Sequence, residues 1–84
     1  MAEEKKMIYV LTKVEEKFNL LEKLTIVRAS YSKSSLHDEM LSEAECYHET
    51  FDALEYSDKK IIFNDINQNW KITLMIHEVT LINQ

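Results

Sequence analysis

Cys46, His37, His48 and His77 are the side chains here whose chemistry could extend to nucleophilic attack or to binding a transition metal. Cys46 is the only thiol, with Glu43, Glu45 and Glu49 within one helical turn of it. Negative neighbours disfavour a thiolate, so its reactivity is expected to be low. His37 and His48 stand eleven residues apart, roughly 16 Å along a helix, too far to share one metal ion. His48 and Asp52, at i and i+4, are placed to form a charge-assisted surface pair on the expected helix. Glu45 and Glu49 can hold a divalent cation only weakly, because no loop completes an oxygen shell. An enzyme using His48 or His77 with a carboxylate is the least supported reading. No catalytic residue, no metal site and no cofactor is expected.

The carboxylates form a different pattern. From Ser34 to Asp58 the chain carries eight of them (Asp38, Glu39, Glu43, Glu45, Glu49, Asp52, Glu55, Asp58) and no Lys or Arg. The formal charge of −5 is therefore concentrated in this stretch. Leu36, Met40, Ala44, Tyr47, Phe51 and Leu54 recur at steps of three and four, which predicts one long amphipathic helix over 34–56. Asp38, Glu45, Glu49, Asp52 and Tyr56 gather on its opposite face. Ser34 or Ser35 is the expected cap, Ser35 making a capping-box-like pair with Asp38. Asp38 and Glu39 then suit the positive end of the helix dipole, whereas Asp52, Glu55 and Asp58 oppose its negative end. Helix stability does not account for that second group.

The elements around this stretch read as strands. Met7–Val14 has high β propensity, and its blurred alternation suits a strand covered on much of both faces. Residues 15–23 read as an irregular hairpin connection. Residues 24–31 make a second strand, with Leu24, Ile26 and Arg28 on one face and Thr25, Val27, Ala29 and Tyr31 on the other. A short strand follows at 59–63, a turn at 64–69 rich in Asn and Asp, and a long strand at 70–82. In that last strand Trp70, Ile72, Leu74 and Ile76 share a face expected to pack on Met40, Tyr47 and Phe51. The apolar phase shifts near Glu78, where a bulge or a departure from the sheet is expected. The predicted fold is α+β: a β-β-α-β-β antiparallel sheet with the acidic helix on one face, residues 1–84 forming a single domain.

Composition excludes several function classes. The chain contains no Gly and no Pro, so phosphate-cradling loops, dinucleotide fingerprints and the EF-hand turn are absent. Asn-Gly hairpins are excluded too, and turns must rest on Asn, Asp and Ser. One cysteine rules out an internal disulfide. No apolar run reaches membrane-spanning length and no signal-peptide pattern follows the charged start, so a cytoplasmic protein without membrane contact is expected. Direct nucleic-acid binding is not expected, since the balance is acidic and Arg28 is the only arginine.

Size and the acidic residues Asp38, Glu45, Glu49 and Asp52 resemble the small acidic inhibitors encoded by phages and mobile elements, the anti-CRISPR and anti-restriction proteins. The preference for Lys over Arg, with many Ile and Asn, is similar to proteins of AT-rich phage genomes. The resemblance implies a non-enzymatic module in the cytoplasm of a bacterial host. Its acidic face (Asp38, Glu45, Glu49, Asp52, with Tyr56 as aromatic anchor) would engage a basic protein surface, such as that of a nucleic-acid-handling defence enzyme. The alternative is a homo-oligomeric structural or regulatory subunit that dimerises through the open sheet face or edge, its acids serving only solubility. On that alternative, attention moves to the sheet surface around Lys71, Thr73, Met75 and His77.

Overall fold

The computed structural model describes the backbone of residues 4–83 and the side chains of residues 7–80. Its elements are β1 (Glu4–Lys17), β2 (Leu20–Ser30), α1 (Lys33–Glu45), β3 (Asp52–Tyr56), β4 (Lys60–Asp65) and β5 (Trp70–Asn83). All strand pairs are antiparallel, in the spatial order β2-β1-β5-β4-β3. The expected α+β class with one helix on an antiparallel sheet holds. The expected β-β-α-β-β order gains a strand, β3, taken from the second half of the expected helix.

The helix is 13 residues long. Ser32 caps it, its Oγ accepting the Ser35 N–H at 3.3 Å, so the cap precedes both Ser34 and Ser35 and no acid falls in the first turn. Its early end removes the conflict between the later acids and the helix dipole. Cys46 and Tyr47 donate backbone bonds to Glu43 and Ala44 (3.2 and 2.9 Å), tightening the last turn, and Phe51 closes one further turn onto Tyr47 at 2.8 Å. Asp52, Glu55 and Asp58 then stand outside the helix. The spacing of Phe51 and Leu54 continues the helical period, and pairing with β4 selects a strand over Asp52–Tyr56 instead.

Leu36, Met40 and Ala44 are fully buried, the three inward positions of α1. They meet Leu11, Ile61, Phe63, Ile72, Leu74 and Ile76 from the strands, with Phe51 closing one side. Trp70 and Tyr47 pack at the margin, as the spacing of Trp70, Ile72, Leu74 and Ile76 predicts. Phe51 stacks edge-to-face on Tyr47 (5.4 Å) and on Trp70 (5.5 Å). Leu54 is the exception on the predicted apolar face: it is exposed, on β3.

Four local expectations change. Residues 15–23 are not an irregular connection: β1 and β2 continue to a two-residue turn at Phe18–Asn19. Both turn residues have positive φ (52° and 63°), the type I′ signature that Asn-Gly normally provides. A left-handed Phe costs about 1–2 kcal/mol, partly offset where its N–H donates to the Asn69 carbonyl at 2.9 Å. A bulge at Val27–Arg28 turns both toward the helix, so Arg28 leaves the face of Leu24 and Ile26 and Ala29 joins it. In β5 no bulge occurs near Glu78, because pairing with β1 runs unbroken from Trp70 to Asn83. The turn expected at 64–69 is shorter, because Asn64 and Asp65 still pair in β4; it spans 66–69, with Asp65 Oδ1 accepting from Asn67 and Gln68.

The two layers differ in length. β1 and β5 have 14 residues each, about 46 Å of strand, whereas α1 spans about 20 Å. A compact chain of this length would have a radius of gyration of about 12 Å. The observed value is 15.0 Å, with extents of 57 × 24 × 17 Å. The helix covers part of one face of the sheet.

Candidate interaction surfaces

The acidic residues do not form one line. Asp38 and Glu45 lie on α1, Glu49 in the turn after it, and Asp52 and Tyr56 at the two ends of edge strand β3. The predicted continuous stripe is thereby corrected, because a chain that leaves the helix at Glu45 cannot hold a 100° period to Tyr56. The bases missing locally also arrive from other strands. Arg28 of β2 reaches Glu39 at 4.0 Å, Lys13 of β1 reaches Glu43 at 3.7 Å, and Lys60 of β4 reaches Glu55 at 3.6 Å. Burial works against the Lys13 ammonium, but the Tyr47 hydroxyl and the charges of Glu43 and Glu15 outweigh it and hold its pKa above the ordinary value. Asp38, Glu45, Glu49 and Asp52 take part in no ion pair among the described residues.

The titratable candidates remain apart. Cys46 is exposed at the helix end. His48 does not pair with Asp52; its ring lies edge-on to Phe63 (5.3 Å) and stacked on Tyr56 (6.0 Å). That contact ties Tyr56 to the aromatic margin of the core. His37 lines a hollow with Lys33, Ser34 and Asp58. Among the described residues no group of three His, Cys, Asp or Glu side chains is placed to hold a metal ion. No helix among them is long and apolar enough to cross a membrane.

The second surface follows from strand alternation. Leu11 faces the helix, so Val10, Thr12 and Val14 face the other way. Register places them against His77, Met75 and Thr73 of β5, and against Ala29, Ile26 and Leu24 of β2. Ile62 of β4 continues the same face beside Thr73. None of the described residues covers it: Leu24 is 60% exposed and Ile26 70%. Val10, Thr12, Val14, Leu24, Ile26, His77 and Val79 line a shallow apolar hollow of about 440 Å³. Within it Thr12 Oγ1 and His77 Nε2 are hydrogen-bonded at 2.9 Å.

Two signals in the sequence belong to this face. The blurred alternation of β1 suggests cover on both sides, and the structure covers one. The apolar phase shift near Glu78 marks Val79 on the uncovered side. Thr73, Met75 and His77 do lie on the sheet surface named as the alternative site. Sequence reasoning does not add Leu24, Ile26, Val10 and Val14 to it, since the pattern of a strand shows that a face is apolar without showing which layer meets it.

Comparison of the chain with protein-family models, with curated proteins and with solved structures finds no match in any of the three.

Proposed function

We propose that the chain is a non-enzymatic protein-binding module that works through the uncovered face of its sheet. One observation carries this reading: Leu24 and Ile26 are largely exposed within a continuous apolar face, with the charged residues described on that side standing at its periphery. Soluble monomers rarely expose contiguous apolar surface on this scale unless it binds something. An apolar centre with a polar rim is the usual anatomy of an interface. The test is solvent paramagnetic relaxation of the methyl groups of Val10, Leu24, Ile26 and Val79 in the full chain, from dilute to concentrated solution and with candidate partners added. Shielding of these methyls under any of these conditions supports the reading. Full exposure under all of them removes it.

A second reading retains the acidic side. Asp38, Glu45 and Glu49 are exposed and enter none of the ion pairs of the described residues. An unneutralised field of this sign speeds encounter with a basic surface. The small acidic inhibitors of nucleic-acid-handling defence enzymes are the most concrete form of that role. Replacing Asp38, Glu45 and Glu49 together by Lys should keep the fold and slow association with such an enzyme at least about tenfold at low salt. An unchanged association rate, measured by stopped flow, assigns these acids to solubility alone.

A further inference from the structure

We infer that the occupant of the uncovered sheet face is a second copy of this chain, packed sheet against sheet about a two-fold axis. The inference rests on the reading of that face as the binding surface and names what binds there.

Area is the first argument. The apolar rows lie on β1, β2 and β5, of 14, 11 and 14 residues, which at about 3.3 Å along and about 4.8 Å across per residue make about 600 Å², and β4 and β3, with Lys60, Glu55 and Asp52 at the rim, bring the face to about 800 Å². A standard stable interface needs about 800 Å² from each partner. Two apolar sheet faces stack about 10 Å apart in a sandwich, so pairing turns a two-layer protomer into a four-layer assembly with the sheets inside. A small domain with limited core gains most from that addition.

Charge placement is the second argument. The acids of α1 lie on the opposite side of the sheet, so face-to-face stacking keeps them outside and apart, while Asp52 and Glu55 of β3, on the open side by register, fall at its rim. At the rim both signs are present: Glu16 stands beside Lys71, and Lys60 pairs with Glu55 at 3.6 Å. A rim carrying both signs can complement itself under a two-fold rotation, as an isologous interface requires. The polar pair at the centre already holds one bond, Thr12 to His77 Nε2 at 2.9 Å, so covering it leaves only the second ring nitrogen of His77 to be met across the interface.

The edges argue against the other route to a dimer. The extra residues at the three register shifts fall on the edge strands, two in β2 near Glu22 and Val27 and one in β3 at Leu54. Bulges on an edge strand interrupt the ladder that another strand would extend. Association is thereby directed to the face.

Sedimentation velocity of the full chain from about 1 to about 100 µM tests the inference, a range that brackets micromolar affinity. The parent should sediment at twice its 10.0 kDa mass. Ile26→Lys and Val79→Lys, with unchanged circular dichroism, should sediment as single copies, their dissociation constants raised at least about 100-fold by the buried charge. Asp38→Lys should dimerise like the parent. If a face variant misfolds, isotope-filtered NOEs in a half-labelled mixture of the parent chain provide the alternative measurement. Contacts between copies should join Val10, Ile26, Met75 and Val79. A parent that stays a single copy at every concentration overturns the dimer; shielding of the face methyls by another protein or by a lipid surface would then leave the binding-module reading standing. A parent dimer that both Lys variants preserve, or whose intermolecular contacts lie off this face, overturns the face-to-face dimer, and the methyl-shielding measurement then decides the binding-module reading by itself.

Discussion

The two faces of the sheet are built from the same strands and differ in what meets them. On the helix side Leu11, Ile61, Phe63, Ile72 and Leu74 are fully buried. One residue along each strand, Val10, Ile62, Thr73 and Met75 point the other way, and on β2 Leu24 and Ile26 remain mostly exposed. The residue types overlap, yet the helix side holds the large rings and long aliphatics that interlock with Leu36, Met40 and Ala44. The other side is flatter, built largely of Val, Thr, Ile and Leu. Burial here is decided by the presence of a second layer. A helix of about 20 Å can serve only part of one face of strands this long, which leaves the rest apolar and available.

Paired substitutions, one on each face, separate the two most clearly. Phe51→Ala should cost roughly 3–5 kcal/mol in urea unfolding, because the ring fills the core beside Tyr47 and Trp70. Ile26→Ala on the open face should cost under about 1 kcal/mol in a dilute monomer, where little of its area is lost from water. Equal losses at the two positions would show that both faces are covered under the conditions of measurement.

A smaller effect is expected at the hairpin tip, where the two faces meet the turn. Replacing Phe18 by Asn and Asn19 by Gly supplies residues that accept positive φ, and should stabilise the chain by about 1 kcal/mol. A shift of the urea midpoint in the opposite direction would mean that the exposed Phe18 ring contributes packing that outweighs its backbone strain.

The ion pair between sheet and helix should matter least. Lys13 is held above its ordinary pKa in the folded state. Its contribution is therefore complete below the unfolded value of about 10.4 and is lost as pH rises through the folded value. Lys13→Met should flatten the alkaline decline of stability relative to the parent, by a few tenths of a kcal/mol. Unfolding curves collected from about pH 9 to about pH 11 check it, since that interval brackets the lysine titration. No equivalent dependence is expected from Ile26→Ala.

The local features of this protein were legible in its residues because local periodicity and turn chemistry act within a few positions. Strand character through 7–14 and 24–30, the turn before Trp70, the inward row Ile72, Leu74 and Ile76 with Trp70 at its margin, and the inward triad Leu36, Met40 and Ala44 follow from local spacing and propensity. The end of the helix did not, since Phe51 and Leu54, three residues apart, continue the helical spacing; pairing of β3 with β4, contacts distant in sequence, overrides it. The acidic stretch misled for a related reason. Its missing bases, Arg28, Lys13 and Lys60, come from other strands, and a charge pattern read along the chain does not contain partners supplied across it. The open face is the clearest case. Alternation shows that both sides of β1 are apolar, but a single helix of limited length has one side to cover, and only the tertiary arrangement decides which side is left for another molecule.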